Sequence, residues 1–179
     1  MNNIRLFIDD KEYPTNCFVV AFSKLLCGLL SEYNQTIKDI NGTDRTIGHG
    51  IDSGDNCNIM GEVGEDDQGI VVGTGTNSVA KDDYCLQTQI NHGTGSGELQ
   101  YDAQIINTYI TPNLSSGYLE INISRSFTNS SGASITVNEV GIMTEKYYHF
   151  LIARDIISGG HEVLNNSSCV VKYLIKVEI

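Results

Sequence analysis

The alternation across residues 119–142 limits the fold more than any other feature of the chain. Leu119, Ile121, Ile123, Arg125 and Phe127 share one face of an extended segment, because successive side chains of a strand point to opposite sides. Asn129-Ser130-Ser131-Gly132 is turn chemistry, and Ile135 and Val137 restart the alternation. The pattern predicts two strands joined as a hairpin. Its charges are out of place for such a pattern. Arg125 is in phase with Ile123 and Phe127, Glu139 with Ile135 and Val137, and Arg154 with Phe150, Ile152 and Ile156. A charge on an apolar face is either paired or placed there for function, since an unpaired buried charge is expensive. After Glu139 the apolar parity switches to Val140 and Ile142, a change that a β-bulge produces. The expectation is a structural charge cluster in which Glu139, near a bulge, pairs with Arg125, with Arg154 or with both.

The rest of the chain extends the β pattern. Residues 4–8 read as a short strand, broken by Asp9-Asp10 and Tyr13-Pro14. Residues 18–30 carry Phe18, Val19, Phe22, Leu25, Leu26, Leu29 and Leu30 at helical i, i+3/i+4 spacing. They predict one amphipathic helix, capped by Thr15 or Asn16 and weakened in its last turn by Gly28. Its stripe packs on a sheet, and Phe18, Phe22, Leu25, Leu26 and Leu29 form a candidate interface. Residues 36–40 and 45–47 predict a hairpin closed by Asn41-Gly42. Residues 48–69, with Glu62, Glu65, Asp66 and Asp67, predict a long acidic surface loop.

Residues 69–73 predict a buried strand, and residues 99–110 one longer strand ended by Thr111-Pro112-Asn113. Residues 147–156, 161–164 and 169–179 predict three more, the last with Val171, Tyr173, Ile175, Val177 and Ile179 on one face. With no repeat and no linker, the expected fold is mainly β: an antiparallel β-sandwich or meander with one N-terminal amphipathic helix. It forms a single domain over 1–179, whose first part, 1–47, is a strand, helix and hairpin.

Charge and motifs exclude several functions. Eleven basic residues against 22 acidic ones give a net charge of −11, which argues against a nucleic-acid surface and against anionic membranes. The apolar run 18–30 is too short and too polar to span a bilayer, and the first residues lack the layout of a signal peptide. Cys17, Cys27, Cys57, Cys85 and Cys169 are odd in number, widely spaced and without a C-x-x-C pair. They predict buried apolar thiols of a reducing compartment, not a disulfide framework or a zinc site. His49, His92, His149 and His161 are scattered, and residues 52–58 do not match a calcium loop. Gly73-x-Gly75 lacks the rest of a nucleotide fingerprint, and no Gly-x-Ser-x-Gly occurs. No catalytic residue, cofactor or metal ligand is therefore expected.

Several stretches, in order, carry a resemblance. They are Lys38-Asp39-x-Asn41-Gly42-Thr43-x-Arg45, residues 69–76, Asp83-Tyr84-x-Leu86, Arg125-x-Phe127-x-Asn129-x-x-Gly132-x-x-Ile135-x-Val137-x-Glu139-x-Gly141, Leu151-Ile152-Ala153-Arg154-Asp155, and Val171-x-Tyr173-x-Ile175-x-Val177. Together they resemble a group of small virion proteins of tailed bacteriophages. The resemblance implies a non-enzymatic structural subunit of the tail, neck, head-fibre or capsid-decoration apparatus. Such a subunit is assembled in the host cytoplasm as a homo-oligomer held by other virion proteins. The competing expectation is a receptor- or carbohydrate-binding module at a fibre tip, which exposed aromatic residues would favour.

Overall fold

The computed structural model of the protein describes residues 4–15, 18–110 and 118–178. The expected Asn16 cap, Cys17, the Thr111-Pro112-Asn113 break, Ile179 and the side chains of Leu119 and Val177 lie outside the described parts. In chain order the elements are β1 (Ile4–Ile8), β2 (Lys11–Tyr13), α1 (Val20–Leu30), β3 (Gln35–Lys38), β4 (Asp44–Ile47), α2 (Ile51–Asp55) and β5 (Gly69–Gly73). There follow β6 (Gln100–Tyr101), β7 (Ile105–Ile110), β8 (Tyr118–Thr128), β9 (Ile135–Met143), β10 (Leu151–Val163) and β11 (Ser168–Glu178).

Two antiparallel sheets face each other. The first runs β2-β1-β11-β8, with β6 and β7 pairing along β8; the second runs β10-β9-β5. Register places Ile123, Arg125 and Phe127 of β8 beside Tyr173, Val171 and Cys169 of β11 on one buried face. Facing them from the second sheet are Ile70, Val72, Val140, Ile142 and Asp155. Tyr173 Oη donates to Asp155 Oδ2 at 2.9 Å, and Ile70 N donates to Gln104 Oε1 at 2.6 Å. The mainly β, antiparallel expectation is met in this two-sheet arrangement.

The strands β8 and β9 do not form the expected hairpin. β8 is flanked by β11 and by β6 and β7, and β9 by β10 and β5, so each belongs to a different sheet. Residues 129–134 carry the chain from one sheet to the other. Asn129 fixes this corner: it is buried, its Nδ2 donates to Ala133 O and Val163 O at 2.8 Å each, and its Oδ1 accepts from Ser131 N at 3.0 Å. An arch and a hairpin both aim alternate residues at one core, so the alternation is the same for either.

The parity switch at Glu139 is not a bulge in β9. β9 pairs with β5 without interruption, from Gly69 opposite Met143 to Gly73 opposite Glu139. Residues 139–143 are buried on both faces. Val140 and Ile142 face the first sheet, while Glu139 and Gly141 lie beneath residues 74–90; a Cβ on Gly141 would sit 2.9 Å from Leu86 Cδ2. The register shifts belong to β10, between Leu151 and Ala153 and between Ile156 and His161, the second opposite Glu139 and Val137. Residues 151–163 are thus one irregular strand where two were expected. Its shift contains Gly159 and Gly160 at φ +80° and +68°, left-handed values that glycine adopts freely. Residues 99–110 break the other way, into β6 and β7.

α1 starts at Val20, after the uncapped N-cap Val19, so the expected Thr15 cap is not used. Gly28 does more than weaken the last turn: a Cβ there would lie 2.3 Å from Oγ of buried Ser53, which donates to Gly48 O at 2.7 Å. The missing side chain lets α2 pack against α1. α2 itself was not expected, because five residues carry no helical periodicity.

The β3–β4 hairpin forms as expected, in register from Gln35–Ile47 to Lys38–Asp44. Buried Asp39 holds its turn by accepting from Asn41 N (3.0 Å), Thr43 N (2.9 Å) and Arg45 Nε (2.7 Å). Burial pushes the Asp39 carboxyl up, but these donors pull it further down, and it ends below the ordinary value. A depressed folded value means that the stabilisation is complete above the unfolded pKa and is lost as pH falls through the folded one. Urea unfolding of wild type and Asp39→Asn should therefore differ by about 1–3 kcal/mol at pH 7. The difference should shrink as pH falls below the ordinary aspartate range and through the lowered folded value.

Candidate functional site

Arg125 projects from β8 into the space between the sheets, where it is buried. Its five N–H groups meet five main-chain carbonyls. Nε donates to Asp102 O (2.8 Å), Nη1 to Gln68 O (2.7 Å) and Ile70 O (3.0 Å), and Nη2 to Glu62 O (2.6 Å) and Glu65 O (2.7 Å). The guanidinium lies 4.8 Å over the Tyr101 ring. Burial lowers its pKa from the ordinary arginine value. No carboxylate takes part.

This cage changes the meaning of residues 48–69. They are not a free acidic excursion: α2 opens the stretch, and Arg125 gathers the backbone between Glu62 and Ile70. Gly64 N donates to Tyr101 O at 2.9 Å and Gln104 N to Gly61 O at 2.7 Å, which tie the same segment to the first sheet. Of the acidic residues that marked it as a loop, Glu62 and Glu65 are exposed, whereas Asp66 and Asp67 are half-buried and Asp66 Oδ2 accepts from His92 N at 2.6 Å; the carbonyls of Glu62, Glu65 and Gln68 turn in to Arg125.

Glu139 and Arg154 meet on the opposite, outer face of the second sheet. Glu139 is fully buried. Its Oε1 accepts from Thr88 N (2.8 Å) and Gly75 N (3.1 Å); its Oε2 accepts from Gln87 N (3.0 Å) and from Arg154 Nε (2.9 Å) and Nη2 (2.8 Å). Arg154 Nη1 continues to Asp83 Oδ2 at 2.7 Å, and Nη2 donates to Asn77 O at 3.2 Å. Burial pulls the Arg154 pKa down, and the bonds to Asp83 and Glu139 more than reverse this, leaving it raised. Gly73 and Gly75 make room for the carboxylate, since a Cβ on either would lie 2.6 or 2.4 Å from Glu139 Oε1. That is the role of the Gly-x-Gly pair that does not fit a nucleotide loop.

Of the two partners expected for Glu139, the structure brings together only Arg154. The second sheet lies between Glu139 and Arg125, so the three charges form two separate fasteners. Asp83 is the member that sequence reasoning missed; Asp82-Asp83 falls in a loop with no periodicity to tie it to a strand. Every oxygen of Glu139 is occupied by donors and none is exposed, so the group holds residues 74–90 on the sheet.

The α1 interface also differs in membership. Leu25 is fully buried and belongs to the core. Phe18, bridged to Ala153, stacks on half-buried Phe22 at 3.9 Å between ring centres. Leu26 and Leu29 are partly exposed, and Leu30, Tyr33 and Ile51 are 77%, 75% and 81% exposed. The outward ridge therefore runs over Leu26, Leu29 and Leu30, joined by Tyr33 after α1 and Ile51 on α2.

The thiols differ from the buried set expected: Cys169 is buried, Cys57 and Cys85 half-buried, and Cys27 exposed. Burial pushes the Cys169 thiol up to about 12 and raises those of Cys57 and Cys85. Among the described residues, no three His, Cys, Asp or Glu side chains converge as metal ligands, and no helix is long and apolar enough to cross a membrane. No protein-family model, no curated protein and no solved structure matches the chain.

Proposed function

We propose that this protein is a non-enzymatic structural subunit of a tailed-phage particle, assembling with copies of itself and with neighbouring virion proteins. The observation that carries this reading is the set of Leu26, Leu29 and Leu30 on α1, Tyr33 just after it and Ile51 on the adjoining α2, large apolar side chains left to solvent. Apolar patches of this kind on a folded chain favour burial against another surface. The charges inside the strands support it from the other side: they are used up on the protein's own backbone and on each other, as a rigid building block requires. The resemblance to phage virion proteins runs through those same residues. The reading covers the tail, the neck, the fibre base and the capsid surface, with the protein made in the host cytoplasm and carried in the virion.

Mass spectrometry and electron cryo-microscopy of purified particles test it. The expected result is the protein in fixed stoichiometry, at ordered positions, with α1 at a contact between chains. Absence of the protein from purified particles would overturn the reading.

A further inference from the structure

Asn41-Gly42 is the only Asn-Gly pair in the chain. Besides forming turns, this pair has a reaction of its own. The glycine nitrogen, once it has lost its proton, attacks Cγ of the asparagine side chain, and the side-chain nitrogen leaves as ammonia. Water then opens the resulting succinimide ring at one carbonyl or the other, giving aspartate or isoaspartate. The reaction needs no oxidant and no catalyst, and glycine offers no Cβ to obstruct it.

The structure leaves the asparagine free and holds the glycine. Asn41 is exposed, and its side-chain amide makes no hydrogen bond with the described residues. Gly42 N donates to Asp39 O at 2.9 Å, and Gly42 O accepts from Lys38 Nζ at 3.2 Å. At φ +79° Gly42 takes the left-handed place that a three-residue hairpin loop requires. The residues on either side of it are pinned to one carboxylate, because Asp39 Oδ1 accepts from both Asn41 N and Thr43 N. Asp39 N also donates to Thr43 O at 2.8 Å, which closes the loop at its base. While these bonds stand, the Gly42 nitrogen keeps its proton and cannot swing onto Asn41 Cγ.

We infer that Asn41 is a self-modification site gated by the β3–β4 turn, a property that stands apart from the assignment to a phage particle. The closed hairpin preserves the asparagine, and each opening of the turn exposes it to conversion. Refolding does not reverse the change. An aspartate at this place adds a carboxylate beside Asp39, and an isoaspartate adds a backbone atom to a turn of fixed register. Either product loosens what the hairpin holds: Ile40 N donates to His149 O at 3.0 Å, and Arg45 stacks 4.6 Å over the Tyr148 ring.

Peptide mass spectrometry tests this on the full chain, incubated folded and, in parallel, unfolded in guanidinium chloride at the same mildly alkaline pH. In the unfolded chain Asn41 should convert before any other asparagine. In the folded chain it should be slowed by the factor that protects the Gly42 amide from hydrogen exchange, to within about tenfold, since both reactions need the same opening. Asp39→Ala, shown to be folded by circular dichroism, should convert about tenfold faster than folded wild type. If that variant does not fold, the two wild-type samples and the Gly42 exchange decide the matter alone. Folded wild type that converts as fast as the unfolded chain, a slowing that does not follow Gly42 protection, or a folded Asp39→Ala that converts no faster would each overturn the inference.

Discussion

Arg125→Ala should lower stability by about 3–5 kcal/mol, because several buried main-chain acceptors lose their donor at once. The reason is the number of acceptors stranded at once. Five carbonyls, from Glu62, Glu65, Gln68, Ile70 and Asp102, lose their donor in a buried place. Each buried polar group left unpaired costs about 1–3 kcal/mol, less where water can enter. For a chain of this size the loss corresponds to roughly 10 °C in the unfolding midpoint. Arg125→Lys should recover only part of it, because an ammonium has three donors and no planar fork. Urea unfolding followed by circular dichroism gives the difference directly. Hydrogen exchange should show the backbone between residues 59 and 69 opening first in either variant. A substitution with no effect on stability would mean that the carbonyl cage does not hold this segment.

The second large effect is at Glu139. Glu139→Gln places an NH₂ group against donors, because its oxygens already accept from Gly75, Gln87, Thr88 and Arg154. The expected cost is about 3–5 kcal/mol, since Arg154 also keeps its buried charge with only Asp83 left to pair it. Arg154→Met strands Glu139 in the same way. The double variant should be less destabilised than the sum of the singles, by a coupling of about 1–3 kcal/mol. Additive losses would show that the two groups act separately, and a Glu139→Gln protein that melts with wild type would rule out the fastener altogether.

Some of this was legible in the sequence because one period carries it. The strands at Ile4–Ile8, Gly69–Gly73 and Ser168–Glu178, the helix Val20–Leu30 and the hairpin at Asn41-Gly42 all follow from local alternation and turn chemistry. The anomaly of Arg125, Glu139 and Arg154 was legible too, since a charge in an apolar phase stands out in any strand.

What the sequence did not show is which sheet each strand joins. Residues 119–142 alternate identically whether β8 and β9 pair or arch between sheets, so Arg125 and Glu139 looked like neighbours although the second sheet lies between them. The partners of Arg125 are main-chain carbonyls, which every residue has and no sequence pattern marks. The same holds for the backbone donors to Glu139. Leu25 and Leu30 share one helical stripe in sequence, and only packing against the core separates the buried residue from the exposed one.

Charges within the strands hold the fold, and under the proposed function the α1 ridge would join chains. Light scattering on the full chain and on Leu26→Glu/Leu30→Glu tests that separation most directly. Wild type should have a mass of two or more times 19.6 kDa, and the variant should fall to 19.6 kDa while unfolding at the same urea concentration. A wild-type chain that is already monomeric, or a variant that keeps the wild-type mass, would contradict it.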